Sequence, residues 1–138
     1  MADFSLSAYL QSHRQELTRE VPVRDGCTIT VRYIPQEEMR RRARALQHLP
    51  PRAREQAMEQ AVVDMLASAV VDWKGMTKQV LAELLPVDPK GLPKHLPYSR
   101  ESARTLLEHS SEFFSIVDEA VRDLAAFRAS QLEEERKN

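Results

Sequence analysis

Val70-Val71-Asp72-Trp73-Lys74-Gly75-Met76, with the residues that follow it to Leu107, is the stretch whose reading decides the fold. It holds the only tryptophan and two of only three glycines. Upstream, Met58, Ala61, Val62, Met65, Leu66, Ala69, Val70 and Trp73 recur at helical spacing. A helix is therefore expected over 52–74, opened by Pro50-Pro51 and stopped by Gly75. Downstream, Thr77 caps a short expected helix over 78–85 that Pro86 ends. Pro86, Pro89, Pro93 and Pro97 then make a stiff crossing, with Asp88-Pro89-Lys90-Gly91 as a β-turn. Ser99 is placed to cap a helix over 100–109, and Ser110 or Ser111 a last helix over 112–134. Phe113, Val117, Ala120, Leu124 and Phe127 line one side of that last helix, and Phe114, Val121 and Ala125 widen the stripe.

Outward toward the N-terminus, Leu6, Tyr9, Leu10, His13 and Leu17 fall on one face of a helix that Ser5 or Ser7 can cap. Residues 21–34 alternate in the manner of a β-hairpin around Asp25-Gly26. A three-residue loop, Arg24-Asp25-Gly26 with Gly26 left-handed, pairs Val23 with Cys27 and Val21 with Ile29. It gathers Val21, Val23, Cys27, Ile29, Val31 and Tyr33 on one face, which a two-residue loop does not. Ile34-Pro35 ends the hairpin, and 36–47 reads as a charged helix. The expected fold is mainly α with a small N-terminal β-hairpin (α+β), a bundle of about five to six helices around one core. It is one domain, 1–138: a helix or arm over 1–18, the hairpin over 19–35, a helical body over 36–132 and a frayed polar tail over 133–138.

With 138 residues, 42% apolar and 30% charged, the chain suits one globular domain rather than a disordered one. A net charge of -1 supplies no overall field for nucleic acid or an anionic membrane. The lone Cys27 excludes an intrachain disulfide and suits a reducing compartment. No apolar run approaches the roughly 18 residues of a membrane span, and residues 1–7 lack a signal-peptide pattern. A cytoplasmic protein is expected. His13, His48, His95 and His109 are scattered, and no phosphate loop, HExxH or Cys/His metal spacing occurs. No catalytic, cofactor-binding or metal-binding residues are expected, and an enzyme is not.

Two features point instead to macromolecular partners. Arg40, Arg41, Arg42 and Arg44, with Arg52 and Arg54 beyond them, form a basic cluster free of acidic residues. It suits an acidic protein surface or, in an alternative reading, the phosphates of a nucleic acid regulated by the protein. Base stacking has no aromatic residue there to use, which argues against nucleic acid. The second feature is apolar: Met58, Met65 and Trp73 on one stripe, with Phe113, Phe114 and Phe127 on another, are candidate partner contacts as well as candidate core.

The run Val70-Val71-Asp72-Trp73-Lys74-Gly75-Met76, followed by Leu96-Pro97-Tyr98-Ser99-Arg100-Glu101-Ser102-Ala103 and Leu106-Leu107-Glu108, resembles the tail assembly chaperones of long-tailed bacteriophages and prophages. Glu112-Phe113-Phe114 and the order Tyr33-Ile34-Pro35-Gln36-Glu37-Glu38 add to the likeness. Gly26, Gly75, Pro97, Tyr98 and Ser99 carry structural rather than chemical roles in this pattern. Ser102, in place of an asparagine, and the helical insert Leu81-Ala82-Glu83-Leu84-Leu85 depart from it. The resemblance implies a non-enzymatic protein of the bacterial host cytoplasm that binds the tape-measure protein and helps recruit tail-tube subunits, with self-association among its possible states. A generic oligomeric adaptor is the remaining alternative.

Overall fold

Val70–Lys74, expected as the end of a long helix, is a β-strand. A computed structural model describes residues 3–137 and places the elements in the order α1 (Leu6–His13), β1 (Thr18–Arg24), β2 (Cys27–Arg32), α2 (Gln36–Ala45), α3 (Pro51–Ala69), β3 (Val70–Lys74), α4 (Lys78–Leu84), a 3-10 turn (Pro89–Gly91), α5 (Arg100–His109), α6 (Ser111–Arg122) and α7 (Leu124–Lys137). The expected hairpin is thus part of a three-stranded antiparallel sheet in the order β1-β2-β3.

The β3 correction has a local cause. Ile29 pairs with Trp73 and Thr30 with Asp72, but Val31 pairs with Val70, so Val71 is an extra residue in the strand. This bulge turns Val70 and Trp73 to the same buried side, although they lie three apart. That spacing imitates a helix, while the pair of β-branched valines favours a strand. The helix proper stops at Ala69, and the Val70 N–H caps it by donating to the Leu66 carbonyl.

The hairpin keeps the expected face and changes its register near the turn. Val21 pairs with Ile29 as expected, but Arg24 rather than Val23 pairs with Cys27, and Val23 occupies a bulge. Val21, Val23, Cys27, Ile29 and Val31 are buried and Tyr33 is half-buried against them. Pro22 has no N–H to donate and sits on the edge strand, where that loss is tolerated. Gly26 takes φ +78° at the turn. Gly75, read from sequence as a helix stop, is the residue after β3. Its φ is +73°, and a Cβ there would run into the Gly26 carbonyl oxygen, so the two turns touch backbone to backbone.

α5 and α6 lie against the sheet, and α3 packs on both helices. Leu66, Ala69, Ala103, Leu106, Phe113, Val117 and Val121 fill the space between. Several expected caps are present. Thr77 accepts from the Val80 N–H, Ser99 from the Ser102 N–H, and Ser110 from the Phe113 N–H at 3.2 Å.

The last helix is not continuous. Asp123 has ψ 80°, outside the helical region, and divides α6 from α7. In an unbroken helix the Val121 carbonyl would accept from a residue one turn on; here it accepts from the Ile34 N–H at 3.0 Å. The Asp123 carboxylate restarts the helix by accepting from the Ala126 N–H at 3.0 Å. The break directs Phe127 into the core, edge-on to Tyr33 and beneath the Arg19 guanidinium, 5.1 Å from its ring centroid. α7 then runs to Lys137. Residue 138 lies outside the described residues. Seven α-helices among the described residues exceed the five to six expected, because the last helix is two and the N-terminal helix is separate.

A basic-rimmed groove between α2 and α3

α2 and α3 form a helical hairpin held at one end and open at the other. At its start, α2 is tethered by its two acidic residues. Glu37 takes an ion pair from Arg14 at 2.8 Å, which holds its carboxyl below the usual range. Glu38 pairs with Arg32 at 3.1 Å, and the same guanidinium reaches the Ser68 hydroxyl at 3.0 Å. Both carboxylates stand in the first helical turn, where the helix dipole also favours them. The link between the helices is closed by Arg54, which donates to the Gln47 and Leu49 carbonyls, each at 3.0 Å. Arg54 therefore belongs to the connection, not to the basic surface.

Between these ties the helices leave an apolar groove of about 230 Å³. Met39 and Ala43 of α2, with Leu46 capping its end, face Met58, Ala61, Val62 and Met65 of α3 across it, and Arg42 and Arg122 also line it. α2 buries none of its residues fully, and Met58 is 43% exposed, so the cleft opens to solvent. Arg40, Arg41 and Arg44 are exposed on α2. Among the described residues they enter no ion pair, whereas Arg42 approaches Glu38 only at 4.0 Å. Of the four arginines only Arg42 borders the cleft; Arg40, Arg41 and Arg44 do not line it.

The six candidate contacts separate by burial. Met65, Trp73, Phe113 and Phe127 belong to the core, and Phe114 is half-buried against it. Of the six only Met58 is exposed, although Met65 also lines the groove. The residues that carry the phage resemblance lie together elsewhere. Trp73 stands edge-on to Tyr98 and Phe113, Tyr98 is half-buried, and burial pushes its hydroxyl pKa upward. Pro97 is exposed beside them, and Ser99 caps α5. They fasten the crossing to the sheet.

A second apolar surface departs from the sequence reading. Of the N-terminal stripe only Leu17 enters the core; Leu6, Tyr9, Leu10 and His13 are exposed. α1 is eight residues long, and its Tyr9 and His13 rings stack on each other at 3.9 Å rather than on the body. With Tyr33, Pro35 and Leu124 it borders a shallow cavity of about 620 Å³. Nothing in the spacing of the stripe distinguishes a buried face from an exposed one. Among the described residues, no group of three or more His, Cys, Asp or Glu is placed to hold a metal ion, and no helix is long and apolar enough to cross a membrane.

A family model described as YdaY prophage protein matches residues 31–138, and the chain belongs to that family. The matched region begins in β2 and contains the whole α2–α3 groove, while α1 and β1 precede it. No curated protein and no solved structure matches the chain.

Proposed function

We propose that this member of the YdaY prophage protein family is a non-enzymatic tail assembly chaperone. It binds the tape-measure protein in the host cytoplasm and helps recruit tail-tube subunits during tail morphogenesis. The observation that carries the reading is the open apolar groove of the α2–α3 hairpin. A tape-measure protein is a long helical chain with apolar faces, and such faces associate unless covered. A groove between two helices covers a third by side-chain insertion. Methionine on both walls adapts to anchors of different shape, as a repeated partner requires. Many weak contacts along one long partner add to a firm hold through effective concentration. The likeness of the Trp73–Gly75 and Pro97–Ser99 segments to phage tail chaperones supports the same reading, as does membership of a prophage family.

The test is co-expression with the longest helical protein encoded just downstream, followed by co-purification and light scattering. Soluble partner that depends on this chain is expected. A partner that aggregates equally with and without the chain would overturn the proposal.

A further inference from the structure

We infer that two copies of the chain pair through antiparallel α7 helices, the far end of each seated in the α1–α7 cavity of the other. The inference concerns a surface separate from the α2–α3 groove and does not depend on the tape-measure reading. Apolar exposure is uneven over the molecule. Among the described residues, six of the nine exposed large apolar side chains, Phe4, Leu6, Tyr9, Leu10, Leu124 and Leu132, lie on the N-terminal arm and α7. Concentration of that kind marks an interface, whereas single exposed residues need no partner. Neither helix is well seated on the body. α1 has eight residues, fewer than the roughly 12–15 that an isolated helix needs in water, and it buries none of them. α7 has one buried residue, Phe127. Leu6, Tyr9, Leu10 and Leu124 border the cavity of about 620 Å³, and Leu132, farther along α7, is 59% exposed.

Charge selects a second copy as the occupant. Leu124, Arg128, Leu132 and Glu135 stand at i, i+4, i+8 and i+11 and share one face of α7. At the near end of that face the cavity holds an uncompensated cation. Arg14 and Glu37 in its lining neutralise each other. Arg128, also in the lining, donates only to the Gln15 and Gln131 amide oxygens, at 3.1 and 2.8 Å, and meets no carboxylate among the described residues. At the far end Leu132 and Glu135 are exposed, and among the described residues the carboxylate meets no cation. Arg128 and Glu135 lie about 10 Å apart along the helix axis, so neither end can satisfy the other within one copy. A second α7 laid antiparallel about a two-fold axis brings Leu132 and Glu135 of each copy to the cavity and Arg128 of the other, and symmetry makes the contact twice. Glu133, Glu134 and Glu135 balance Arg128, Arg136 and Lys137, so the two helices meet without net repulsion.

The experiment is sedimentation equilibrium of the full chain alone over a range of concentrations. A monomer–dimer equilibrium is expected, and Leu132→Asp should leave only monomer. Arg128→Glu and Glu135→Arg should each weaken the dimer about tenfold, as reversing two exposed ion pairs would give. Arg128→Glu/Glu135→Arg, which exchanges the charges, should restore it. All three positions are exposed, so the far-ultraviolet circular dichroism of each variant should match that of the parent chain. The charge exchange separates an interface from a folding defect, because a defect would not be repaired by the second substitution. A chain that is monomeric at every concentration, a dimer indifferent to Leu132→Asp, or a double variant no tighter than the single ones would overturn the inference. So would a dimer lost in Met58→Asp and kept in Leu132→Asp, since the α2–α3 groove would then be the joint. No tape-measure protein is present, so failure here leaves the chaperone reading standing.

Discussion

Trp73 and Tyr98 hold the strand and the crossing to each other reciprocally. The Trp73 indole N–H, on β3, donates to the Leu96 carbonyl in the crossing at 2.9 Å. The Tyr98 hydroxyl, at the end of the crossing, donates back to the Val70 carbonyl at the start of β3 at 2.6 Å. Their rings meet edge to face with centroids 5.2 Å apart. A further backbone bond, from the Leu96 N–H to the Met76 carbonyl at 2.8 Å, lies between the two.

That pairing sets an order of stability among variants. Tyr98→Phe leaves the Val70 carbonyl without its donor and should cost about 1 kcal/mol. Trp73→Ala also empties a core position and should cost about 3–5 kcal/mol. Because the two residues share one contact, the double variant should lose less than the two effects added. Urea denaturation of the three variants measures this, and strict additivity would contradict the coupling.

The glycines should differ by position. Gly26→Ala meets open space and pays only for its left-handed backbone, about 1 kcal/mol. Gly75→Ala adds a clash with the Gly26 backbone and should be the more damaging change. Gly91→Ala, with neither constraint, should be nearly neutral. Thermal unfolding that ranked the Gly26 variant below the Gly75 variant would contradict the backbone contact between the turns.

Acid should weaken one tie of the hairpin turn. Arg24 reaches Glu83 at 2.7 Å and Glu112 at 2.6 Å, joining β1 to α4 and α6. The guanidinium hydrogen bond lowers the Glu112 pKa from its ordinary 4.5, and the carboxylates raise that of Arg24 in turn. Since the folded value of Glu112 lies below the unfolded one, its contribution is present above pH 4.5 and is lost as pH falls through the lowered value. Glu112→Gln should therefore flatten the fall in stability below that pH. An unchanged acid limb in urea midpoints taken across pH would remove the tie.

Cys27 should behave as a core hydrophobe. It is fully buried on the sheet face, and desolvation pushes its thiol pKa above the ordinary 9.0. A disulfide reagent at neutral pH should label the chain only as fast as it unfolds. Rapid labelling of the native protein would show that the sheet face is open.

The sequence made the core face of β1 and β2 readable because Val21, Val23, Cys27, Ile29 and Val31 alternate with polar residues. It hid β3 because the bulge at Val71 places Val70 and Trp73 on one side at a helical interval. It hid the break at Asp123 because the cause lies in a distant residue: the Ile34 N–H takes the Val121 carbonyl from the helix. The groove was half legible. Met58, Met65 and Arg42 are readable as separate features, and only the placing of α2 beside α3 brings them to one cleft. The exposure of Leu6, Tyr9 and Leu10 had no local signal, since an amphipathic stripe reads the same whether it is covered or not.

The most direct test of the groove as the partner surface is amide hydrogen exchange on the chain, alone and co-purified with the helical protein encoded downstream. Residues 39–46 and 58–65 should gain protection in the complex, while α1, with its exposed Leu6 and Leu10, should exchange as it does in the free chain. Protection confined to α1 and the start of α7, or none anywhere in a complex that does form, would contradict the assignment of partner binding to the α2–α3 groove.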